Sequence, residues 1–370
     1  MNYDVLKLEN SSTTIKAEAC KIVSHKKSNI QKNGFRRFES NKVIQTSRLG
    51  EATLDQLMRE SKQYGGLGTD YNFGFSPAAS THKTAPHLDD SALRSYSDIL
   101  EYLKNKYPDF IFSGECSVSN KNISLKSSYG LDLSTSGGFL EWYFLYQRKG
   151  SGNMLDGYIF GFGKEDNILK SVNEQELYLN VSNKVSSLKS GAYPVLFVEE
   201  KPVLKKLLES FHVNKYKEGA ALYAGKLGQK LFDSKIDLVD CGYDHSSGNF
   251  MFFDGEGTIR TDDLLLIKEG IFNSLISDLR NQKKYDFKSS GNGTRLYNRG
   301  VNLDFKGIRF KKRSQPWLEI IKNLPTCVVA LIAAGGDSND LGEYSTAVQV
   351  GYVFKNGELE GLAPDRKSVV

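Results

Sequence analysis

GAALYAGKLGQKLFDSKIDLVD, Gly219 to Asp240, and the turn FDGEGT, Phe253 to Thr258, decide how this chain is read. By pattern they give an apolar segment punctuated by glycine, an alternating strand at Ile236 and Leu238, and a tight polar turn. Gly219 to Lys226 is not a phosphate loop: five residues separate its glycines, and Leu227 stands where a Ser or Thr would hold magnesium. Gly161-Phe162-Gly163 and Gly255-Glu256-Gly257 each lack the third glycine of a dinucleotide fingerprint. The sequence has no G-x-S-x-G nucleophile elbow either. Asp254 and Glu256 read as turn carboxylates, with Asp254 bonding its own backbone.

Composition sets wider bounds. With 370 residues, 25% charged and 39% hydrophobic, the chain has the make-up of a soluble globular protein with room for two or three domains. The longest apolar run, Cys327 to Ala334, is far short of the roughly 20 residues that span a bilayer. No apolar run follows Met1-Asn2-Tyr3-Asp4, so no secretory signal is expected and the location read is cytoplasmic. Cys20, Cys116, Cys241 and Cys327 are scattered, which fits reduced thiols. The net charge is +5. From Arg280 to Arg313 eleven Lys/Arg face only Asp286 and Asp304, so this segment carries +9 and the rest −4. Such an excess favours an anionic partner on one face.

In chain order, residues 1–50 read as short strands with a hairpin about Glu39-Ser40-Asn41-Lys42. Thr53 caps a helix that Gly65-Gly66 ends, and a second helix starts at Ser91. Gly65 to Asp90, rich in Gly, Ser, Pro and Thr, reads as a loop. Ile111–Val118, Ile123–Ser128, Gly138–Gln147 and Tyr158–Phe162 read as strands, and Asn173–Leu188 as an amphipathic helix. Gly191–Val198 is a strand entering a second half, which begins with a helix from Pro202. Leu264–Phe272 is a hairpin about Lys268-Glu269-Gly270, Asn292–Asn302 is irregular, and Pro316–Leu324 is a short helix. Thr326–Ile332 is a buried strand, and Tyr344–Phe354 with Lys355-Asn356-Gly357-Glu358 closes the chain as a hairpin. The mixture lacks a βαβ rhythm and is α+β, the C-terminal half being largely antiparallel and barrel-like. Two domains are expected, 1–189 and 190–370.

Of the histidines, His82 and His87 fall in a polar loop and His212 follows an apolar helix. Cys241 and His245 form a tempting ligand couple that nothing nearby completes to the three donors a catalytic metal needs.

Phe253 to Gly270 resembles the F-D-x-E-G phrase, apolar strand and E-G turn of the TldD/PmbA family. Ser289 to Arg295 (SSGNGTR) resembles its S-T-G-N-x-x-R segment, and Val301-Asn302-Leu303 its T-N-L strand. The order and spacing of the phrases carry the resemblance. It implies a two-subunit metalloprotease in which one chain bears H-E-x-x-x-H and a later cysteine ligand, while the TldE/PmbA-like chain lacks them. Upstream of Gly219, Val203 to Glu218 reads VLKKLLESFHVNKYKE, with one histidine and no H-E pair. The metal helix would fall near Leu204 to Glu209.

The resemblance therefore implies a non-catalytic subunit with no metal of its own. A TldD-like catalytic partner would hold the zinc, and the substrate would be an extended peptide, a precursor or leader. Ser290, Gly291, Asn292, Gly293, Arg295 and Asn302 are the substrate-binding candidates: glycines about an asparagine allow close approach of another chain, and Arg295 offers a fork of donors for a carboxylate. Arg295→Ala is accordingly expected to weaken processing and spare stability. The alternatives are a nucleic-acid or scaffold-binding protein, served by the basic segment but without a nucleic-acid motif, and a homodimeric, repurposed family member.

Overall fold

The computed structural model describes residues 1–64, 68–153, 155–163, 168–181, 184–198, 201–244, 250–311, 317–333 and 335–364. Its largest element is an eight-stranded sheet. β1 (Asn2–Glu18), β2 (Lys21–Glu39) and β3 (Lys42–Leu49) form a meander, followed by α1 (Leu54–Gln63) and the short β4 (Thr69–Asp70) and β5 (Ala79–Thr84). After α2 (Ser91–Lys106) come β6 (Phe110–Ser127), β7 (Leu131–Arg148) and β8 (Gly157–Gly163). The strand order is β4-β3-β2-β1-β6-β7-β5, with β8 also on β7.

Two sequence expectations merge here. The first 50 residues are long strands, and Ile111–Val118 and Ile123–Ser128 are parts of one strand, β6. The polar runs Glu9-Asn10-Ser11-Ser12 and Asn120-Lys121-Asn122 look like breaks by propensity. Each nevertheless lies in register with a neighbour that supplies its main-chain bonds, Ser11 opposite Asn120, so pairing overrides composition. The expected loop Gly65–Asp90 likewise contains β5, laid parallel on β7 from Ala79↔Leu131 to Thr84↔Ser136. Its residues 65–67, which include the expected Gly65-Gly66 helix stop, lie outside the described residues. The cap at Thr53 is present, with Gln56 completing a reciprocal pair of side-chain-to-backbone bonds.

The sheet buries opposite faces at its two ends. Near the start of β1, Asp4 and Leu6 are buried; further on the buried positions are Thr13, Ile15 and Ala17. Residues of even and odd number point to opposite faces of a strand. At the first end Leu6, Leu125, Leu131 and Leu133 pack on Phe252 and Phe253. At the other, Ile15, Ala17, Cys116 and Val118 pack under α2, whose Leu93, Tyr96, Leu100 and Leu103 recur at helical spacing.

The expected helix Asn173–Leu188 is displaced: α3 (Ile168–Gln175) ends early and Glu176–Val181 tightens into a 3₁₀ turn. The chain then passes β9 (Val195–Phe197), α4 (Lys201–Glu209), α5 (Val213–Lys217), β10 (Leu238–Asp240), β11 (Leu264–Lys268) and β12 (Ile271–Phe272). α6 (Leu279–Tyr285), β13 (Gly293–Arg295), β14 (Val301–Leu303) and β15 (Ile308–Phe310) follow, so Asn292–Asn302 is a short hairpin rather than irregular. α7 (Trp317–Lys322), β16 (Thr326–Ala333), β17 (Asp337–Ser338), β18 (Tyr344–Ser345), β19 (Val348–Lys355) and β20 (Glu358–Leu362) complete the fold. Among the described residues the pairings between named strands are antiparallel except β9 on β16 and β5 on β7, and the fold is α+β.

Residues on both sides of position 190 share one core. Tyr158, Phe160 and Tyr178 pack with Val329, Tyr352 and Phe354. Within it the hydroxyls of Tyr146 and Tyr352 meet at 2.9 Å, both side chains fully buried. Tyr146→Phe removes one hydrogen bond from this buried pair and should cost about 1 kcal/mol in urea denaturation. The double variant Tyr146→Phe/Tyr352→Phe should cost less than the sum of the two single changes; additivity would contradict the pairing.

Candidate functional site

Three sequence phrases that looked like separate loops converge on one buried network. The turn Phe253–Thr258 lies against β13. Gly255 N–H donates to the Gly293 carbonyl at 2.8 Å, and a Cβ on Gly255 would stand 2.2 Å from Arg295 Cβ. Glycine is required there for the two backbones to touch.

The carboxylates are shared out among main-chain donors. Asp254 Oδ1 accepts from Glu256 N–H and Thr258 N–H, both at 2.9 Å, as the turn reading anticipates. Its Oδ2 accepts from Gly293 N–H at 2.8 Å. Glu256 Oε2 accepts from Leu279 N–H at 2.9 Å, at the start of α6. Burial, and then the neighbouring Asp254, push the Glu256 carboxyl up to about 8; burial raises Asp254 as well. Beside Glu256 is a cavity of about 60 Å³ lined in part by Arg36, Tyr71, Asp278 and Arg280. That is room for water and not for a peptide.

Asp240, at the end of β10, is a second hub. Arg260 Nη2 and Asn292 Nδ2 donate to its Oδ2 at 2.6 and 2.7 Å. Lys306 N–H and Gly307 N–H donate to its Oδ1 at 2.8 and 2.9 Å. The third hub is Asp4 on β1. Arg36 reaches it through Nε and Nη2, the latter at 2.6 Å, Arg295 Nη1 at 2.7 Å and the Tyr129 hydroxyl at 2.9 Å. Burial opposes ionisation of Asp4, but the two guanidinium groups hold its carboxyl below the ordinary value. Burial pulls Arg295 down to about 10, so it stays charged at neutral pH.

Of the expected substrate-binding residues, five join this network and one does not. Ser290 Oγ donates to Asn292 Oδ1 and receives Ser277 N–H, both at 2.7 Å. Gly291 takes a positive φ of 73° beside Arg260. Asn292 and Gly293 bond Asp240 and Asp254 as above. Arg295, with its side chain 1% exposed, spends its fork on Asp4 and on the Gly34 carbonyl at 2.9 Å. The expectation that Arg295 engages a substrate or partner carboxylate is corrected: its carboxylate is Asp4 of the same chain. Asn302 pairs with Thr294 on the exposed face of the β13–β14 hairpin. Asp4, Arg36 and Asp240 were not singled out from sequence, although a charged residue at a buried parity, Asp4 beside Leu6, was the available signal.

Of the eleven basic residues of the run, four are ion-paired within the chain and a fifth, Lys306, is buried. Arg295 is inside, and burial lowers Lys306 to about 8. Lys284 pairs with Glu218, Arg309 with Asp244 and Asp263, and Lys311 with Asp263.

The donors a zinc site would need are not gathered where the resemblance puts them. α4 carries Leu204, Lys205, Lys206, Leu207, Leu208 and Glu209, and its Leu207 and Leu208 pack on the core of Phe211 and Phe272. His212 sets its ring against Phe305 at 5.3 Å, and burial lowers its pKa. Cys327 is buried in β16. Among the described residues no group of three or more His, Cys, Asp or Glu could hold a metal, and α4 supplies no imidazole that fits one. The Cys241/His245 couple cannot be placed, since His245 lies outside the described residues. No described helix is long and apolar enough to cross a membrane.

Residues 190–365 match the PmbA/TldA metallopeptidase C-terminal domain family. TldE from Thermococcus kodakarensis superposes with a TM-score of 0.84 at 18% identity, covering 98% of this chain and 86% of that one. A Thermotoga maritima protein that carries the DNA gyrase modulator name superposes at 0.76 with 15% identity, over 98% and 86% of the two chains. An uncharacterized protein of Methanocaldococcus jannaschii is 22% identical over 153 residues, 41% of this chain. The match spans 36% of that relative's length. Residues 190–365 therefore belong to the PmbA/TldA metallopeptidase C-terminal domain family, and the whole chain has the fold of TldE.

Proposed function

We propose that this chain is the non-catalytic, TldE/PmbA-like subunit of a heterodimeric metalloprotease that processes or degrades unfolded peptides in the cytoplasm. The observation that carries this reading is α4. Where catalytic relatives would place H-E-x-x-x-H, it presents Leu204 to Glu209, and its leucines are used for packing. A TldD-like partner supplies the zinc and its chemistry. This chain supplies a rigid wall, because the polar phrases it shares with the family are consumed in fixing β1, β10, β13 and the Phe253–Thr258 turn to one another. The outward side of the β13–β14 hairpin, with Thr294 and Asn302, is the part of that wall left to meet an extended substrate, whose main chain would provide most of the affinity.

The test is hydrolysis of an unfolded peptide by the purified chain, by an H-E-x-x-x-H family subunit, and by both together. The expected result is cleavage by the pair, lost on chelation, with none from this chain alone. Chelator-sensitive cleavage by this chain alone would overturn the reading.

A further inference from the structure

β2 is far longer than the strand that covers it. Its inner edge pairs with β1 throughout, from Asn2↔Phe38 to Glu18↔Lys21. Its outer edge is covered by β3 only from Lys32 to Glu39, and Gly50 N–H then caps the Gln31 carbonyl at 2.9 Å. Beyond that point, Lys21–Ile30 has no strand on its outer edge among the described residues. At about 3.3 Å per residue this leaves roughly 33 Å of unpaired main chain.

Two features separate this edge from an ordinary solvated one. Its apolar side chains are turned out, with Ile22 42%, Val23 53% and Ile30 42% exposed, the composition that promotes edge pairing. Its charge is of one sign, because Lys21, Lys26 and Lys27 share the run with no acidic residue. Among the described residues Asp90 meets Lys27 at 3.4 Å with both side chains exposed, and Glu18, opposite Lys21, pairs with Lys16, which neutralises little of the run.

We propose that Lys21–Ile30 is a docking edge for an acidic β-strand presented by a different folded chain. Charge selects against a second copy. Antiparallel pairing of two such edges about their middle sets Lys26 opposite His25 and Lys27 opposite Ser24, so Lys27 of one copy stands diagonal to Lys26 of the other with no carboxylate between them, an arrangement that opposes association. Order selects against a loose peptide: the edge is open and unwalled, and a free strand would pay about 1–2 kcal/mol per residue to become extended on it. A strand already held in another sheet has met that cost. The proposal stands apart from the proteolytic reading, since any folded partner with an acidic edge satisfies it.

The test uses the intact chain and a labelled, cyclised two-stranded hairpin whose outer strand alternates glutamate and valine, followed by fluorescence anisotropy at low salt. Lys21→Glu/Lys26→Glu/Lys27→Glu should weaken binding about ten-fold or more, and a lysine–valine hairpin should then prefer that variant. Lys26→Glu alone should give a smaller loss in the same direction. All three positions are exposed, so unchanged circular dichroism is expected. N-methylation of the hairpin's outward amides should abolish binding. The proposal is overturned if the acidic hairpin does not bind, if charge reversal leaves its affinity unchanged, or if the N-methylated hairpin binds equally well. A wild-type homodimer cross-linked β2 to β2 would overturn it too.

Discussion

Asp4→Ala is expected to be the most damaging single change in the buried network, lowering the unfolding free energy by about 3–5 kcal/mol. Asp4 is the carboxylate that two guanidinium groups share, and the three side chains are essentially withdrawn from water. Removing it leaves Arg36 and Arg295 buried side by side without a counter-charge. Arg295→Ala should cost less, about 2–3 kcal/mol, because Asp4 keeps Arg36 and the Tyr129 hydroxyl. The double variant should fall short of the sum, since the second removal takes away a charge the first has orphaned. Denaturant unfolding of the four chains measures the cycle. Strict additivity, or an Arg295→Ala chain as stable as wild type, would show that the network does not join β1 to β13 energetically.

Glu256→Gln carries the second large effect, and its sign depends on pH. The folded-state pKa of about 8 lies above the ordinary glutamate value because of burial and then Asp254. A carboxyl with a raised folded pKa holds its proton more tightly in the native state. Its contribution is therefore present in full below the unfolded value, near 4.3, and is lost as pH rises through 8. Wild type should lose on the order of 3 kcal/mol relative to the glutamine variant between pH 5 and 9. The variant keeps an acceptor for Leu279 N–H and has no proton to lose. Lys306, lowered to about 8 by burial and Arg260, works in the opposite sense, regaining stability as pH rises from 8 toward the ordinary lysine range. It is common to both chains and cancels in the comparison. Parallel stability–pH profiles would refute a Glu256 that is protonated in the fold at neutral pH.

Both predictions concern residues whose types were visible in the sequence and whose roles were not. Local signals gave the elements that local rules govern: the Thr53 cap, the amphipathic α2, the β2–β3 turn at Ser40-Asn41 and the hairpin at Lys268-Glu269-Gly270. They failed where pairing partners lie far along the chain. Asn120 and Asn122 read as a turn and are mid-strand, because β1 and β7 bracket them. Ala79–Thr84 read as loop and is a strand, because β7 offers it a free edge. The family phrases were placed correctly, yet their chemistry was not readable. Asp254, Glu256, Asn292 and Arg295 are spent on partners within their own chain, Asn292 on Asp240 and Arg295 on Asp4, which stands 291 residues before it. Nothing in the spacing of Ser290 to Arg295 distinguishes a fork aimed at a ligand from one aimed at the first strand of its own chain.

The most direct test of the account is the zinc content of this chain, purified and dialysed by itself, and of the reconstituted pair after titration with zinc. The account predicts no tightly held zinc in the chain alone and one equivalent per heterodimer, carried by the partner, with peptide cleavage appearing only in the pair. One equivalent of zinc retained by this chain alone, together with cleavage that a chelator removes, would contradict it.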